Sequence, residues 1–192
     1  MKSFEDTWAL KAKQEGYRSR ATYKLDHIDQ KYNLIKNARK MVELGSAPGG
    51  WSQLIAKKKS PSAKCLAIDI LPMNKVNGID FHQLDLQSDE FLKLMEAFNP
   101  NIDVIMSDMS ANLTGVKVVD EEANFEINLF SLNLAKHYLS KNGKLLIKTF
   151  NNQNLARLKN EFSAFFSRTC TEKPPASKTS SSEVYLLGLD PK

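Results

Sequence analysis

The segment that most constrains the fold is Met41-Val42-Glu43-Leu44 followed by Gly45-Ser46-Ala47-Pro48-Gly49-Gly50-Trp51. An apolar strand that ends in small residues and turns at once into a helix opens an α/β sheet. Glycine permits the tight turn and lets the backbone approach a ligand closely. The spacing departs from the dinucleotide pattern G-x-G-x-x-G. Ala47 stands at the second glycine, and Pro48 removes an amide that a pyrophosphate would use. Glu43, two residues before Gly45, is also a poor neighbour for a diphosphate. The loop suits a cofactor with a ribose and an amino-acid group but no phosphate, which describes S-adenosylmethionine. An ordinary strand-to-helix turn stays open on the loop alone.

Beyond this unit the hydrophobic period alternates. Strand patterns fall at 40–44, 64–70, 81–86, 102–108, 144–150 and 184–189, and helical patterns at 51–58, 88–98, 121–139 and 154–166. Such alternation predicts a mostly parallel sheet flanked by helices on both faces. Before it runs a helical extension in which Leu25, Ile28 and Tyr32 share one face. Residues 168–182, rich in Ser, Thr, Pro and Lys, read as an exposed loop leading to the last strand. The chain has 192 residues, a length that suits one domain. Within it, 1–39 reads as a basic helical extension and 40–192 as the α/β domain.

Charge is unevenly placed. Residues 1–40 hold ten Lys and Arg against five Asp and Glu, while the rest of the chain holds 17 of each. A basic segment is commonly a solvated helical face. Here Trp8, Tyr17 and Tyr23 are interleaved with Lys11, Arg18 and Arg20, and Gly16-Tyr17-Arg18-Ser19-Arg20 interrupts the helix pattern. Arginines on a loop beside aromatics suit phosphate contact and base stacking, so this segment is a candidate nucleic-acid surface. No run approaches the about 18 apolar residues of a membrane span. The first ten residues include Glu5 and Asp6 and no signal-peptide core, so the expectation is a cytoplasmic protein without a membrane partner. Cys65 and Cys170 read as free thiols, and His27, His82 and His137 form no ligand pattern, so no metal is expected.

In an open α/β sheet, ligands bind beyond the carboxyl ends of the strands. The first predicted strand ends at the Gly45 loop, the second at Asp69, the third at Asp85 and the fourth at Asp108. Any one of these acids could be a helix cap or turn residue. Lys148 follows Leu145-Leu146-Ile147 in an apolar strand, where a lysine must snorkel or pair with an acid. Glu183, which opens the last strand, Lys24 and Asp108 are the candidate partners. A structural ion-pair network is the bland alternative.

Several stretches resemble one family in order. They are Gly16-Tyr17-Arg18-Ser19-Arg20-Ala21, Lys24-Leu25, Leu44-Gly45-Ser46-Ala47-Pro48-Gly49-Gly50-Trp51-Ser52-Gln53, Asp69-Ile70-Leu71-Pro72-Met73, Met106-Ser107-Asp108-Met109, Ile147-Lys148-Thr149-Phe150 and Ser182-Glu183-Val184-Tyr185. Over about residues 8–190 the chain resembles the FtsJ-like ribose 2′-O-methyltransferases. The resemblance implies a Rossmann-like class I S-adenosylmethionine-dependent fold with a seven-stranded sheet and a reversed last strand. It implies a catalytic tetrad at Lys24, Asp108, Lys148 and Glu183, and a cofactor site lined by Gly45, Ala47, Gly49, Trp51, Asp69, Asp85 and Asp108. The implied reaction moves the methyl of S-adenosylmethionine to the 2′-hydroxyl of a uridine ribose in 23S rRNA of the large ribosomal subunit, leaving S-adenosylhomocysteine, with the enzyme a monomer. A tRNA anticodon-loop ribose, an mRNA cap ribose and a non-catalytic RNA-binding role are the alternatives. Two departures stand out. Ser110-Ala111 replaces the family's Ala-Pro, and Ser177-Lys178 replaces its Ser-Arg, leaving Lys178 to hold phosphate as a point charge.

Overall fold

The protein is represented by a computed structural model that describes residues 7–98 and 101–192. The first six residues of the basic extension lie outside the described residues. Helices α1 (Thr7–Gln14) and α2 (Ala21–Tyr32) precede β1 (Lys40–Leu44), α3 (Gly50–Lys58), β2 (Lys64–Asp69) and β3 (Asp80–Gln83). Then come α4 (Asp89–Phe98), β4 (Ile102–Ser107), α5 (Lys117–Tyr138), β5 (Leu139–Phe150), α6 (Asn154–Phe165), β6 (Phe166–Glu172) and β7 (Glu183–Pro191). The sheet has seven strands in the order β3-β2-β1-β4-β5-β7-β6. All neighbours are parallel except β7, which runs antiparallel to both β5 and β6. This is the α/β, Rossmann-like sheet that the alternation and the resemblance predict.

Each inner strand is buried on both faces, and its residues divide by parity. Met41, Cys65, Ala67, Val104, Met106, Leu146, Leu187 and Leu189 pack with Leu25 and Ile28 of α2 and Leu54 and Ile55 of α3. The alternate residues Val42, Leu44, Leu66, Ile68, Ile105, Leu145, Ile147 and Leu186 pack against Phe91, Phe125, Leu132 and Phe162 of α4, α5 and α6. The extension therefore closes one of the two cores and does not hang from the sheet. Its C-terminal end is tied down twice. Asp29 Oδ1 accepts the amides of Leu34 and Ile35, both at 2.9 Å, and Lys144 of β5 donates to the carbonyls of Tyr32 and Asn33. Lys58 on α3 pairs with Asp26 and Asp29 at 2.6 and 2.7 Å, which sets α2 against α3.

Three expectations need correction. The third strand ends at Gln83, so Asp85 lies beyond it in a turn where its Oδ1 accepts the Gln87 amide. The fifth strand begins at Leu139, five residues early, with a register break against β4 between Ile102 and Val104. Of the segment expected to be an exposed loop, 168–182, the first five residues belong to β6, which pairs only with β7, and 173–182 form the loop. β6 is an edge strand whose one buried residue is Phe166, so it lacks the alternation that marks a strand. Its ring rests on Gly188 of β7, where a Cβ would lie 2.3 Å from Phe166 Cδ2.

Candidate active site

Sheet order crosses from β1 to β4 at the centre, and a notch opens there at the carboxyl ends of the strands. The parity that builds the α2–α3 core continues upward. It puts Glu43, Asp69, Asp108, Lys148, Tyr185 and Glu183 on one face, at the level where hydrophobic packing stops.

The glycine loop forms one wall. Gly45 has φ +72° and a Cβ there would come within 2.6 Å of Met109 Cγ, so only glycine fits without displacement. The Gly45 and Ser46 amides donate to the Ile68 carbonyl, and the Ala47 amide donates to Asp69 Oδ2 at 2.7 Å. With Pro48 lacking a donor, three further amides that might cradle a diphosphate are committed to the fold. Asp69 spends its other oxygen on the Leu71 amide. The Ser46 hydroxyl, in contrast, is buried in the notch and has no hydrogen-bond partner among the described residues. An orphaned buried hydroxyl in a cleft is a group that a polar ligand would satisfy. Nothing in the sequence distinguished Ser46 from its neighbours.

Glu43 lies at the floor of the notch, 1% exposed, with the Ser52 hydroxyl donating to its Oε2 at 2.6 Å. Burial pushes its carboxyl up to about 8; the Ser52 bond opposes this and the charge of Asp108 adds to it. Glu43 is therefore neutral at pH 7. Trp51 closes the notch from α3, held by its indole N–H on the Ala21 carbonyl at 2.8 Å. The lining suits S-adenosylmethionine by its chemistry: an unsatisfied hydroxyl, carboxyl groups of the kind that would favour a cationic sulfonium, and few free phosphate-binding amides.

The four tetrad side chains meet at the lip of this notch. Lys24 Nζ sits 2.6 Å from Glu183 Oε1, and both side chains are largely buried. Lys148 Nζ donates to the backbone carbonyl of Asp108 and lies 3.5 Å from its Oδ1. Tyr185 links the two pairs. Its hydroxyl donates to Asp108 Oδ1 at 2.9 Å, and Lys24 Nζ stands 6.0 Å from its ring centre. Desolvation raises the Asp108 carboxyl above the ordinary range even though Lys148, Lys24 and the Tyr185 hydroxyl all favour its charged form. Burial, with the charges of Asp108 and Glu183, lifts the Tyr185 phenol well above its usual value, so it stays a neutral donor. Tyr185 is a site residue that sequence reasoning missed. The available signal was its position two residues after Glu183, on the same face of β7.

Other predicted residues fall elsewhere. Asp85 is exposed, and the notch lining does not include it. Arg18 spends its guanidinium on the carbonyls of Pro48, Asn74 and Lys75, so it ties the loop after β2 to the glycine loop. The Gly49 Cα lies beneath it, and a Cβ there would be 2.6 Å from Arg18 Nη1. Lys11 is half exposed and stands over Trp8 and Tyr23, whose rings are tilted against each other, and Tyr17 meets the Tyr23 ring edge-on. Lys178 is exposed on the β6–β7 loop, beside Ser177, whose hydroxyl donates to Glu183 at 3.3 Å. Among the described residues no cluster of His, Cys, Asp or Glu could hold a metal, and no helix is long and apolar enough to cross a membrane.

A switch-point notch without a phosphate cradle, on a seven-stranded sheet with a reversed β7, defines a class I methyltransferase. The FtsJ-like methyltransferase profile matches residues 17–191, and the chain belongs to that family. It is 38% identical to the ribosomal RNA large subunit methyltransferase E of Halorhodospira halophila, over 97% of this chain and 89% of that protein. The protein of the same name from Buchnera aphidicola is 39% identical, over 96% of this chain and 90% of that one. A crystal structure from Plasmodium falciparum, described as that of a ribosomal RNA methyltransferase, matches with a TM-score of 0.77 at 28% identity. The match covers 91% of this chain and 98% of the other.

Proposed function

We propose that this chain methylates the 2′-hydroxyl of a uridine ribose in 23S rRNA of the large ribosomal subunit, working as a cytoplasmic monomer with S-adenosylmethionine as donor. The observation that carries the reaction type is Lys148, held by Asp108 at the lip of the notch and faced by the Lys24–Glu183 pair. When bound, S-adenosylmethionine supplies a methyl group already activated on a sulfonium. The chain's own residues must position the acceptor and handle its proton. Ser46, Glu43 and Asp69 with the glycine loop would hold the cofactor. Lys148 is placed to take the hydroxyl proton or to hold the developing charge on the oxygen. Asp108, itself held by the Tyr185 hydroxyl, fixes the Lys148 head, and Glu183 holds Lys24 beside them. The names of the relatives support large-subunit rRNA as the acceptor.

The test is transfer of labelled methyl to large subunits from cells lacking the enzyme, with purified tRNA in parallel. Label at an alkali-resistant ribose of 23S rRNA is the expected result. Label in tRNA alone would replace the substrate, and label in neither would leave an RNA-binding protein.

RNA binding should also be strongly salt-dependent. Lys11, Lys13, Lys57 and Lys178 are basic side chains on or near the aromatic extension and the β6–β7 loop. If about four phosphates are held, affinity should fall on the order of a hundredfold between about 50 and 200 mM salt. Filter binding at a series of salt concentrations measures this, and a flat response would remove the basic surface from the reading.

A further inference from the structure

The floor of the notch is a carboxyl group with no cation beside it. Glu43 of β1 is buried there and takes the Ser52 hydroxyl of α3 at 2.6 Å. The titratable groups that face it from the neighbouring strands are themselves acids. Asp69 of β2 and Asp108 of β4 both act on it with like charge, and the Cys65 thiol of β2 is kept protonated by its own burial. On the α2 side the lining residues, Ser19 and Ala21, are uncharged. Lys24 and Lys148 hold their ammonium groups on Glu183 and Asp108 at the lip, and the residues that line the notch include no Lys, Arg or His.

A carboxyl withdrawn from water, with a neutral hydroxyl as donor and other acids around it, keeps its proton. Such a group responds to the charge of whatever enters the cavity. A ligand that brings a positive charge favours the ionised form and expels the proton. A ligand of the same shape without that charge leaves the proton in place. Donor and product of methyl transfer differ in this respect: S-adenosylmethionine carries a sulfonium, S-adenosylhomocysteine a neutral thioether, and the rest of the molecule is the same.

We propose that Glu43 distinguishes the methyl donor from the spent product, giving up its proton when the sulfonium compound binds and keeping it when the thioether binds. This rests on the S-adenosylmethionine reading above. The donor gains an ion pair at the floor of the notch, and the product lacks it. The proton count closes over one cycle. Donor binding releases one proton from Glu43, the acceptor hydroxyl loses one as the ether forms, and Glu43 takes one back from solvent once the sulfonium has become a thioether.

The test needs no methyl acceptor. Titration calorimetry near pH 7 in two buffers of different ionisation enthalpy counts the protons that each ligand releases. Glu43 titrates at about 8 in the chain alone, and a cation within about 4–6 Å lowers a carboxyl by roughly 1 to 3 pH units. The donor should therefore expel about 0.4 to 0.9 proton. Its affinity should rise roughly 2- to 20-fold from about pH 5.5 to 7.0, a window below the titration of an α-amino group. The product should expel less than half as much and show a flatter profile. Glu43→Gln should bind both ligands without proton release, at a donor-to-product affinity ratio that no longer depends on pH. Ser52→Ala removes a bond that favours the ionised form, so it should keep the release and move the rise in donor affinity to higher pH. Equal release by donor and product, release that persists in Glu43→Gln, or a rise that Ser52→Ala leaves in place overturns the proposal. Failure of the wild-type chain to bind S-adenosylmethionine overturns the cofactor reading itself, and this inference with it.

Discussion

Lys148→Ala is expected to cut methyl transfer by about 10²- to 10⁴-fold, the usual range for losing a positioned proton-transfer group. Affinity for S-adenosylmethionine should survive. Lys148 approaches the notch from β5, whereas the residues suited to hold the cofactor, Ser46, Glu43 and Asp69, come from β1, β2 and the loop between β1 and α3. The fold should survive as well. Asp108 would lose its nearest cation but keep the hydrogen bond from the Tyr185 hydroxyl. Single-turnover transfer at saturating cofactor measures the chemical step directly. Turnover near that of the wild-type chain would remove Lys148 from the role given to it, and a matching loss of cofactor affinity would move it to the binding site.

The second large effect concerns stability and pH. Glu43 titrates at about 8 in the folded chain and has an ordinary value of 4.5. Between those values the folded state keeps a proton that the unfolded chain has released. The contribution of Glu43 is therefore greatest below pH 4.5, falls by about 1.4 kcal/mol per pH unit as pH rises, and levels off above about 8. From pH 5.5 to 8.5 the loss is about 3 kcal/mol. Glu43→Gln has nearly the same shape, still accepts from Ser52, and is neutral at every pH. It should remove this slope, so the variant gains about 3 kcal/mol over the wild-type chain on going from pH 5.5 to 8.5. Urea unfolding of both chains at those two pH values gives the difference. An unchanged gap would mean that Glu43 is ionised in the folded state.

Legibility in the sequence followed the physics of burial. β1, β2, β4 and the carboxyl half of β5 were visible because strands buried on both faces must be apolar along their whole length. Asp69, Asp108 and Lys148 were visible for the converse reason, as polar groups at the ends of such strands. Asp85 shared that pattern but belongs to a turn, since a strand-end acid and an Asx-turn acid look alike without the register. Arg18 looked like a free phosphate contact because its three carbonyl partners lie 30 to 57 residues away. β6 was hidden by its exposure at the sheet edge.

By itself the sequence determined the class of fold, the place of the glycine loop and which chemical groups the site could draw on. These are set by local spacing and by the need to bury apolar strands. Only the tertiary structure decided which groups meet. Lys24 and Glu183 are 159 residues apart, and their contact depends on α2 lying across the sheet and β7 running backward beside β5. The same packing left the Ser46 hydroxyl without a partner, made Glu43 neutral by excluding water, and inserted Tyr185 between the two ion pairs. Burial and long-range proximity are properties of the packed chain, and no spacing along the sequence encodes them directly.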